Sequence, residues 1–378
     1  MTKIQDLWDQ QRQSLWLDDI SRTMLQSGTL ERQITRDGIR GVTSNPTIFE
    51  KAIAAGDAYN DQIADLIRAG KSSGEIFEAV EVEDIRNACD LFADLYRSSG
   101  GNDGYVSIEV APEFARDTEG TIGEVRRLWK SVDRPNLMVK IPGTAEGIPA
   151  IRQALTEGIS VNVTLLFSVE RYADVANAYV EALEARHARG ESIETLASVA
   201  SFFVSRVDTL VDRKLDEQAA ADPANGDLAR GLQGRIAVAN AKLAYQTFLE
   251  IFESDRFAPL RAAGGNVQRP LWASTGTKNP AYSDVLYVET LIGPDTVNTM
   301  PGKTIEAFVD HGRLARTVDR DVDDARQAIA DLGRVGVDLQ AATAQLEEEG
   351  IATFAKSFDS LISGVEGKRA ALAESVAS

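Results

Sequence analysis

Cysteine is nearly absent: the 378 residues contain one, Cys89. No intramolecular disulfide can form, and a cysteine-built zinc site is excluded. Cys89 falls in a helical pattern over 85–92 and reads as a small core residue. Histidine is scarce too, with only His187 and His311. His187 sits in a charged helix end, and His311 precedes Gly312 where a helix should stop. A His-dependent triad or a histidine-rich metal centre has too little to draw on. Long apolar runs are missing: nothing approaches the ~18 residues of a membrane-spanning helix. Residues 1–8 lack the apolar core of a secretion leader. The expectation is a cytoplasmic protein without a membrane partner.

Basic clusters are missing as well. The net charge is −18, from 40 basic and 58 acidic residues. An acidic chain without a Lys/Arg cluster is a poor partner for nucleic acid. A few local cations can still hold a phosphate inside such a protein. There is no Pro/Gly/Ser-rich linker, no composition break and no solenoid-type repeat. These absences argue against a split into two domains.

What is present is an alternation. Short apolar runs occur at 14–18, 38–43, 104–110, 136–141, 159–165, 197–204, 269–274 and 296–300. Amphipathic stretches lie between them, among them 169–186, 228–252 and 321–332. Residues 219–226 read as a surface insertion between helices. Strands alternating with helices imply a parallel sheet. Eight strands over this length imply an α/β fold, a single (β/α)8 TIM-type barrel over 1–378 with extra N- and C-terminal helices. The extra C-terminal helix is expected over 351–378. Its apolar positions Phe354, Phe358, Leu361, Ile362 and Val365 share one helix face and would pack on a barrel end.

One residue stands out in this pattern. Lys140 lies in Asn136-Leu137-Met138-Val139-Lys140-Ile141-Pro142-Gly143-Thr144, which otherwise reads as a buried strand. Taken alone, such a lysine more often reaches from a strand end to water. Burial, however, disfavours the ammonium form and makes an uncharged amine nucleophile, able to form a Schiff base with a carbonyl. In a barrel of this kind the active site lies at the C-terminal strand ends. Those ends carry Asp18, Thr43-Ser44-Asn45, Glu109, Lys140, Asn162 with Thr164, Ser201 with Phe203 and Arg206, and Ser274 with Lys278. An Asp after a strand is commonly just a helix cap. Together the set suits Schiff-base chemistry on a polyhydroxy phosphate. Carboxylates move protons, amides and hydroxyls hold sugar hydroxyls, and Arg and Lys hold phosphate.

The same residues carry a family resemblance. Gly41-Val42-Thr43-Ser44-Asn45-Pro46-Thr47-Ile48-Phe49 resembles the transaldolase signature around strand 2. The 136–144 run resembles the signature that contains the Schiff-base lysine. The runs 106–110, 161–168 and 200–208 resemble the motifs of strands 3, 5 and 6. The motifs follow one order from about Asp18 to Met300, and the length matches the long bacterial form. The resemblance implies that Lys140 is the nucleophile and Asp18 the acid/base at the cleaved bond. It implies that Glu109 and Thr164 hold a proton-shuttling water. Asn45, Asn162 and Ser201, beside Thr43 and Phe203, would meet the dihydroxyacetone moiety, and Arg206 the phosphate. One departure stands after strand 7. Many relatives have Ala-Ser-Phe-Arg there, whereas this chain reads Ala273-Ser274-Thr275-Gly276-Thr277-Lys278. Ser274 and Lys278 are the candidates for that phosphate role, Lys278 as a point charge without arginine's fork.

The implied reaction moves a dihydroxyacetone unit between phosphorylated sugars, from sedoheptulose 7-phosphate to glyceraldehyde 3-phosphate, in the non-oxidative pentose phosphate pathway. It needs no metal and no organic cofactor. A fructose 6-phosphate aldolase releasing free dihydroxyacetone is the alternative with the same lysine. Glu109 favours transfer, because aldolase-like members are expected to depart at that position. A non-catalytic sugar-phosphate-binding barrel is the alternative from another class. It predicts loss of the lysine or an acid, and Lys140, Asp18 and Glu109 are all present.

Overall fold

The computed structural model describes residues 2–376. Eight strands close into a barrel in sequence order. They are β1 (Gln13–Leu17), β2 (Gly41–Val42), β3 (Tyr105–Glu109), β4 (Leu137–Pro142), β5 (Val161–Leu166), β6 (Ser198–Phe203), β7 (Arg269–Ala273) and β8 (Thr296–Met300). Every pair is parallel, including the closing β1–β8 pair. Parallel neighbours require a crossover each, and helices supply them. The architecture is the (β/α)8 barrel expected from the alternation.

The barrel is closed at the N-terminal ends of its strands. Asp103, fully buried, accepts from Ser14 at 2.8 Å, from Arg40 at 2.6 Å and from Arg269 at 3.1 Å. Above this polar plug, Trp16, Tyr105, Met138, Val199, Leu271 and Val297 form one packed cluster. The opposite end is left to carry the chemistry.

β2 is shorter than the run 38–43 suggested. Its extension is prevented at Gly38, which turns left-handed at φ 101° after the Gln33–Asp37 π-helical turn. Gly41 then passes so close to Trp16 that an added Cβ would lie 2.6 Å from the indole ring. The Trp16 side chain is fully buried and has nowhere to retreat. Gly41→Ala is therefore expected to cost about 1–3 kcal/mol by overpacking. A urea titration that showed no loss would contradict this reading of the glycine.

The amphipathic stretch 228–252 is not one helix. It is divided into Gly226–Leu232 and Ile236–Phe252. The break falls at Gly234, whose φ is +70° and against which the Tyr282 ring lies 2.8 Å from a would-be Cβ. Of the expected insertion at 219–226, only 222–225 connect the Ser205–Ala221 helix to that first segment; 219–221 end one helix and Gly226 begins the next.

The last helix runs Leu339–Val376, starting ahead of the expected 351, while 377–378 lie outside the described residues. Gly350 brings it against Leu165 and Phe167, with a would-be Cβ 3.2 Å from the Leu165 side chain. Leu165 itself sits at φ +59°, where the β5–β6 register shifts. Phe358 meets Phe77 edge-on at 5.9 Å, and Lys368 donates to the carbonyls of Ile53 and Gly56. This long helix thus lies across the C-terminal mouth of the barrel. Among the described residues no helix is long and apolar enough to cross a membrane.

Candidate active site

A cavity of about 370 Å³ opens at the C-terminal strand ends. Of the residues singled out from the sequence, Asp18, Thr43, Asn45, Glu109, Lys140, Thr164, Ser201, Phe203, Arg206, Ser274 and Lys278 all line it. Asn162 does not. It is fully buried one layer below the wall, donating to Ser107 Oγ at 3.0 Å and accepting from Ser201 Oγ at 2.7 Å.

The core of the site follows from strand register. β3 and β4 pair Glu109 with Lys140, and β4 and β5 pair Lys140 with Asn162 and Pro142 with Thr164. Side chains at paired positions leave the sheet side by side. Lys140, only 8% exposed, donates from Nζ to Glu109 Oε2 at 3.2 Å and to the Ser44 carbonyl at 3.0 Å. The amine is held between a carboxyl and a carbonyl, because register brings Glu109 alongside. Burial pushes the Glu109 carboxyl above its ordinary value against the opposing pull of Lys140, and the nearby Asp18 adds to the rise.

Asp18 follows β1 and accepts from Thr43 Oγ1 at 2.8 Å. Thr43 in turn shares a hydroxyl contact of 2.8 Å with Thr299 of β8. Burial raises the Asp18 carboxyl above its ordinary value, while the Thr43 hydroxyl, Lys140 and Lys278 act to lower it. Asn45 has a structural duty as well. Its Oδ1 caps the Pro46–Ala54 helix through the Ile48 N–H at 3.1 Å, which leaves its amide N–H groups for the cavity.

The rim is cationic. Arg206 opens the Ser205–Ala221 helix, with its guanidinium 5.2 Å from the centre of the Phe203 ring. Burial lowers its pKa, and no described carboxylate pairs with it. Desolvated and unpaired, it is a natural seat for an anion. Lys278 is exposed on the loop after β7. Ser274, at φ +55°, shares a 3.0 Å hydroxyl contact with Ser205.

Sequence reasoning missed several groups. Lys51 lines the cavity from the Pro46–Ala54 helix, and Thr299 lines it from β8. Asn298-Thr299, a polar pair inside an apolar strand, was the available signal for the latter. Gly350, Thr353, Phe354 and Ser357 reach the cavity from the last helix. Their sequence signal was limited to an apolar face. Glu81 is a buried acid of the Ser73–Ser98 helix, 7% exposed. Burial and then the Glu109 charge push its carboxyl well above the ordinary range. An acid on the face that carries Phe77, Val80 and Ile85 was its sequence signal.

Comparison with known proteins agrees with this geometry. The family described as Transaldolase/Fructose-6-phosphate aldolase matches residues 15–365. A Trichodesmium erythraeum protein named Transaldolase is 49% identical over 360 residues, covering 94% of this chain and 95% of that protein. A Mycolicibacterium smegmatis protein of the same name is 48% identical over 356 residues, covering 94% of each chain. One from Mycobacterium tuberculosis is 49% identical over 351 residues, covering 92% of each. A buried lysine–glutamate pair at the mouth of a parallel barrel, a facing aspartate and this extent of similarity lead to one conclusion: the chain belongs to the transaldolase/fructose-6-phosphate aldolase family.

Proposed function

We propose that this chain is a transaldolase that carries a dihydroxyacetone unit on Lys140, from sedoheptulose 7-phosphate to glyceraldehyde 3-phosphate. The products are erythrose 4-phosphate and fructose 6-phosphate. The observation that carries the reading is the Lys140–Glu109 pair at 3.2 Å, with Asp18 across the same cavity.

In this reading Lys140 gives up a proton to Glu109 or water, and its amine adds to the ketose carbonyl. Glu109, with Thr164, moves protons as the carbinolamine loses water to give the iminium. Asp18 then removes the proton from the hydroxyl on the far carbon of the bond to be broken. That oxygen's electrons form the aldehyde, and the C–C bonding pair passes into the iminium as an enamine. The four-carbon aldehyde phosphate leaves, the three-carbon acceptor enters, and the steps run backwards. Asn45 and Ser201 hold hydroxyls of the three-carbon unit, Asn162 acts by orienting Ser201, and Arg206, Ser274 and Lys278 hold the phosphate. The Phe203 ring under Arg206 limits where that guanidinium can go.

Retention of the enamine requires that water be kept from it. The Leu339–Val376 helix supports this role, since Phe354 is buried at the cavity edge. The test is a comparison of transfer with release. Fructose 6-phosphate supplied with erythrose 4-phosphate should be consumed at the rate at which sedoheptulose 7-phosphate forms. Without an acceptor, free dihydroxyacetone should accumulate far more slowly. Release as fast as transfer would assign the chain to the aldolase side of its family.

A further inference from the structure

Asp208 and Asp212 stand four residues apart on the Ser205–Ala221 helix. Like charges at that spacing repel along a helix face unless each finds its own donors. Both do, and in the same way. Asp208 takes the Ala237 N–H at 2.7 Å and the Tyr287 hydroxyl at 2.9 Å. Asp212 takes the Gly234 N–H at 3.0 Å and the Tyr282 hydroxyl at 2.7 Å. The N–H groups come from the break between two helices and the first turn of the second, and the phenols come from the connection between β7 and β8, Tyr287 from its short Leu286–Glu289 helix. Burial pushes the Asp208 carboxyl up to about 7.

That loop also carries Ser274, Gly276 and Lys278 to the cavity. The helix holding the two acids begins with Ser205 and Arg206. The loop and the helix are therefore joined at three successive points. Ser274 meets Ser205 through a hydroxyl contact of 3.0 Å and a backbone bond of 3.1 Å. Tyr287 meets Asp208 and Tyr282 meets Asp212. Lys278 lies between the first joint and the two phenols in sequence, and Thr277 ties the loop to itself by donating to the Ser283 carbonyl at 2.8 Å. Gly234 allows the Tyr282 ring its position, because a Cβ there would meet the ring at 2.8 Å.

We propose that the Asp208–Tyr287 and Asp212–Tyr282 pairs are a double clasp that fixes Lys278 relative to Arg206, and so sets the affinity for the phosphorylated end of the substrate. The tyrosines and aspartates are positioning residues and touch no substrate. The inference rests on the reading that Arg206 and Lys278 hold the phosphate. A lysine offers one mobile charge on a four-carbon stem. On an unanchored loop it would gain little from facing Arg206. Held by the clasp, it presents its charge at a set distance across the cavity.

The test measures steady-state kinetics of Tyr282→Phe, Tyr287→Phe and the double variant. Each is assayed with fructose 6-phosphate and with unphosphorylated fructose as donor. Phenylalanine keeps the ring packing and removes only the hydroxyl. The double variant should raise KM for fructose 6-phosphate about tenfold, as the loss of hydrogen bonds to carboxylates would allow. Its kcat should stay within about twofold and its kcat/KM for fructose should not change. If the double variant does not fold, Tyr282→Phe at the half-buried pair decides, with a smaller rise in the same KM. Equal losses on both donors, or no change on either, overturn the clasp. Arg206→Gln and Lys278→Gln in the same assay separate the two claims. If they leave KM for fructose 6-phosphate unchanged, the phosphate reading falls and takes the clasp with it. If they raise it while the tyrosine variants do not, the clasp alone is overturned.

Discussion

Lys140→Met should lower kcat for dihydroxyacetone transfer on the order of 10⁴-fold or more, since the amine that carries the covalent intermediate is removed. Methionine fills a similar volume, so packing at β4 should survive. The neighbour at risk is Glu109, which loses its cation. Removal of one member of a buried ion pair destabilises strongly when a charge is left behind. Here the charge need not remain. Burial already pushes the Glu109 carboxyl above its ordinary value, with Lys140 as the main opposing influence. Without Lys140 that opposing influence is lost, which shifts the carboxyl further toward its neutral, donating form. Circular dichroism and thermal melting should therefore report a folded variant, and substrate KM should change far less than kcat. An unfolded Lys140→Met would contradict this account of the pair.

Asp18→Asn should lower kcat about 10²- to 10⁴-fold, the range for a lost general base, yet leave Schiff-base formation intact. Lys140 and Glu109 complete the dehydration, so a ketose phosphate should load onto the variant and stall as an uncleaved iminium. The pH dependence follows the same group. Asp18 must be ionised to accept the sugar proton. Burial raises it above the ordinary 3.8, with Thr43, Lys140 and Lys278 opposing. Activity should therefore fall on acidification at a pH above that ordinary value. Lys278→Gln removes one of the opposing influences and should move this acidic limb to higher pH. Stability moves the other way. An acid whose folded pKa is raised binds its proton more tightly folded than unfolded. The stability contributed by Asp18 and Glu109 is fully present below their unfolded values and is lost as pH rises through the raised ones.

Much of this was legible in the sequence because a barrel repeats. Each strand is a short apolar run, and each strand end delivers its polar residues to one mouth. β8 has the bounds that its run suggested, 296–300. What sequence cannot carry is register. Nothing in the separate runs 104–110 and 136–141 places Glu109 directly beside Lys140, and that register sets the pair. Nor does local composition show that Asn162 lies behind Ser201 rather than on the wall. The run 38–43 overextends β2 because Gly38 and Gly41 look like ordinary strand neighbours until Trp16 and the π-helical turn are in view. The 228–252 pattern runs through its break because Gly234 is tolerable in a helix pattern. The reason for its left-handed turn, the Tyr282 ring, lies far along the chain. The last helix starts ahead of its clear apolar face, since 339–350 is rich in alanine and glutamine and ends in the acidic run 347–349 before Gly350.

The central claim is that Lys140 carries the substrate covalently. Borohydride reduction in the presence of fructose 6-phosphate, followed by peptide mapping, tests it most directly. The account predicts one stable adduct, on the peptide containing Lys140, formed by the native chain and by Asp18→Asn and absent from Lys140→Met. An adduct on another lysine, or none while transfer activity is intact, would contradict it.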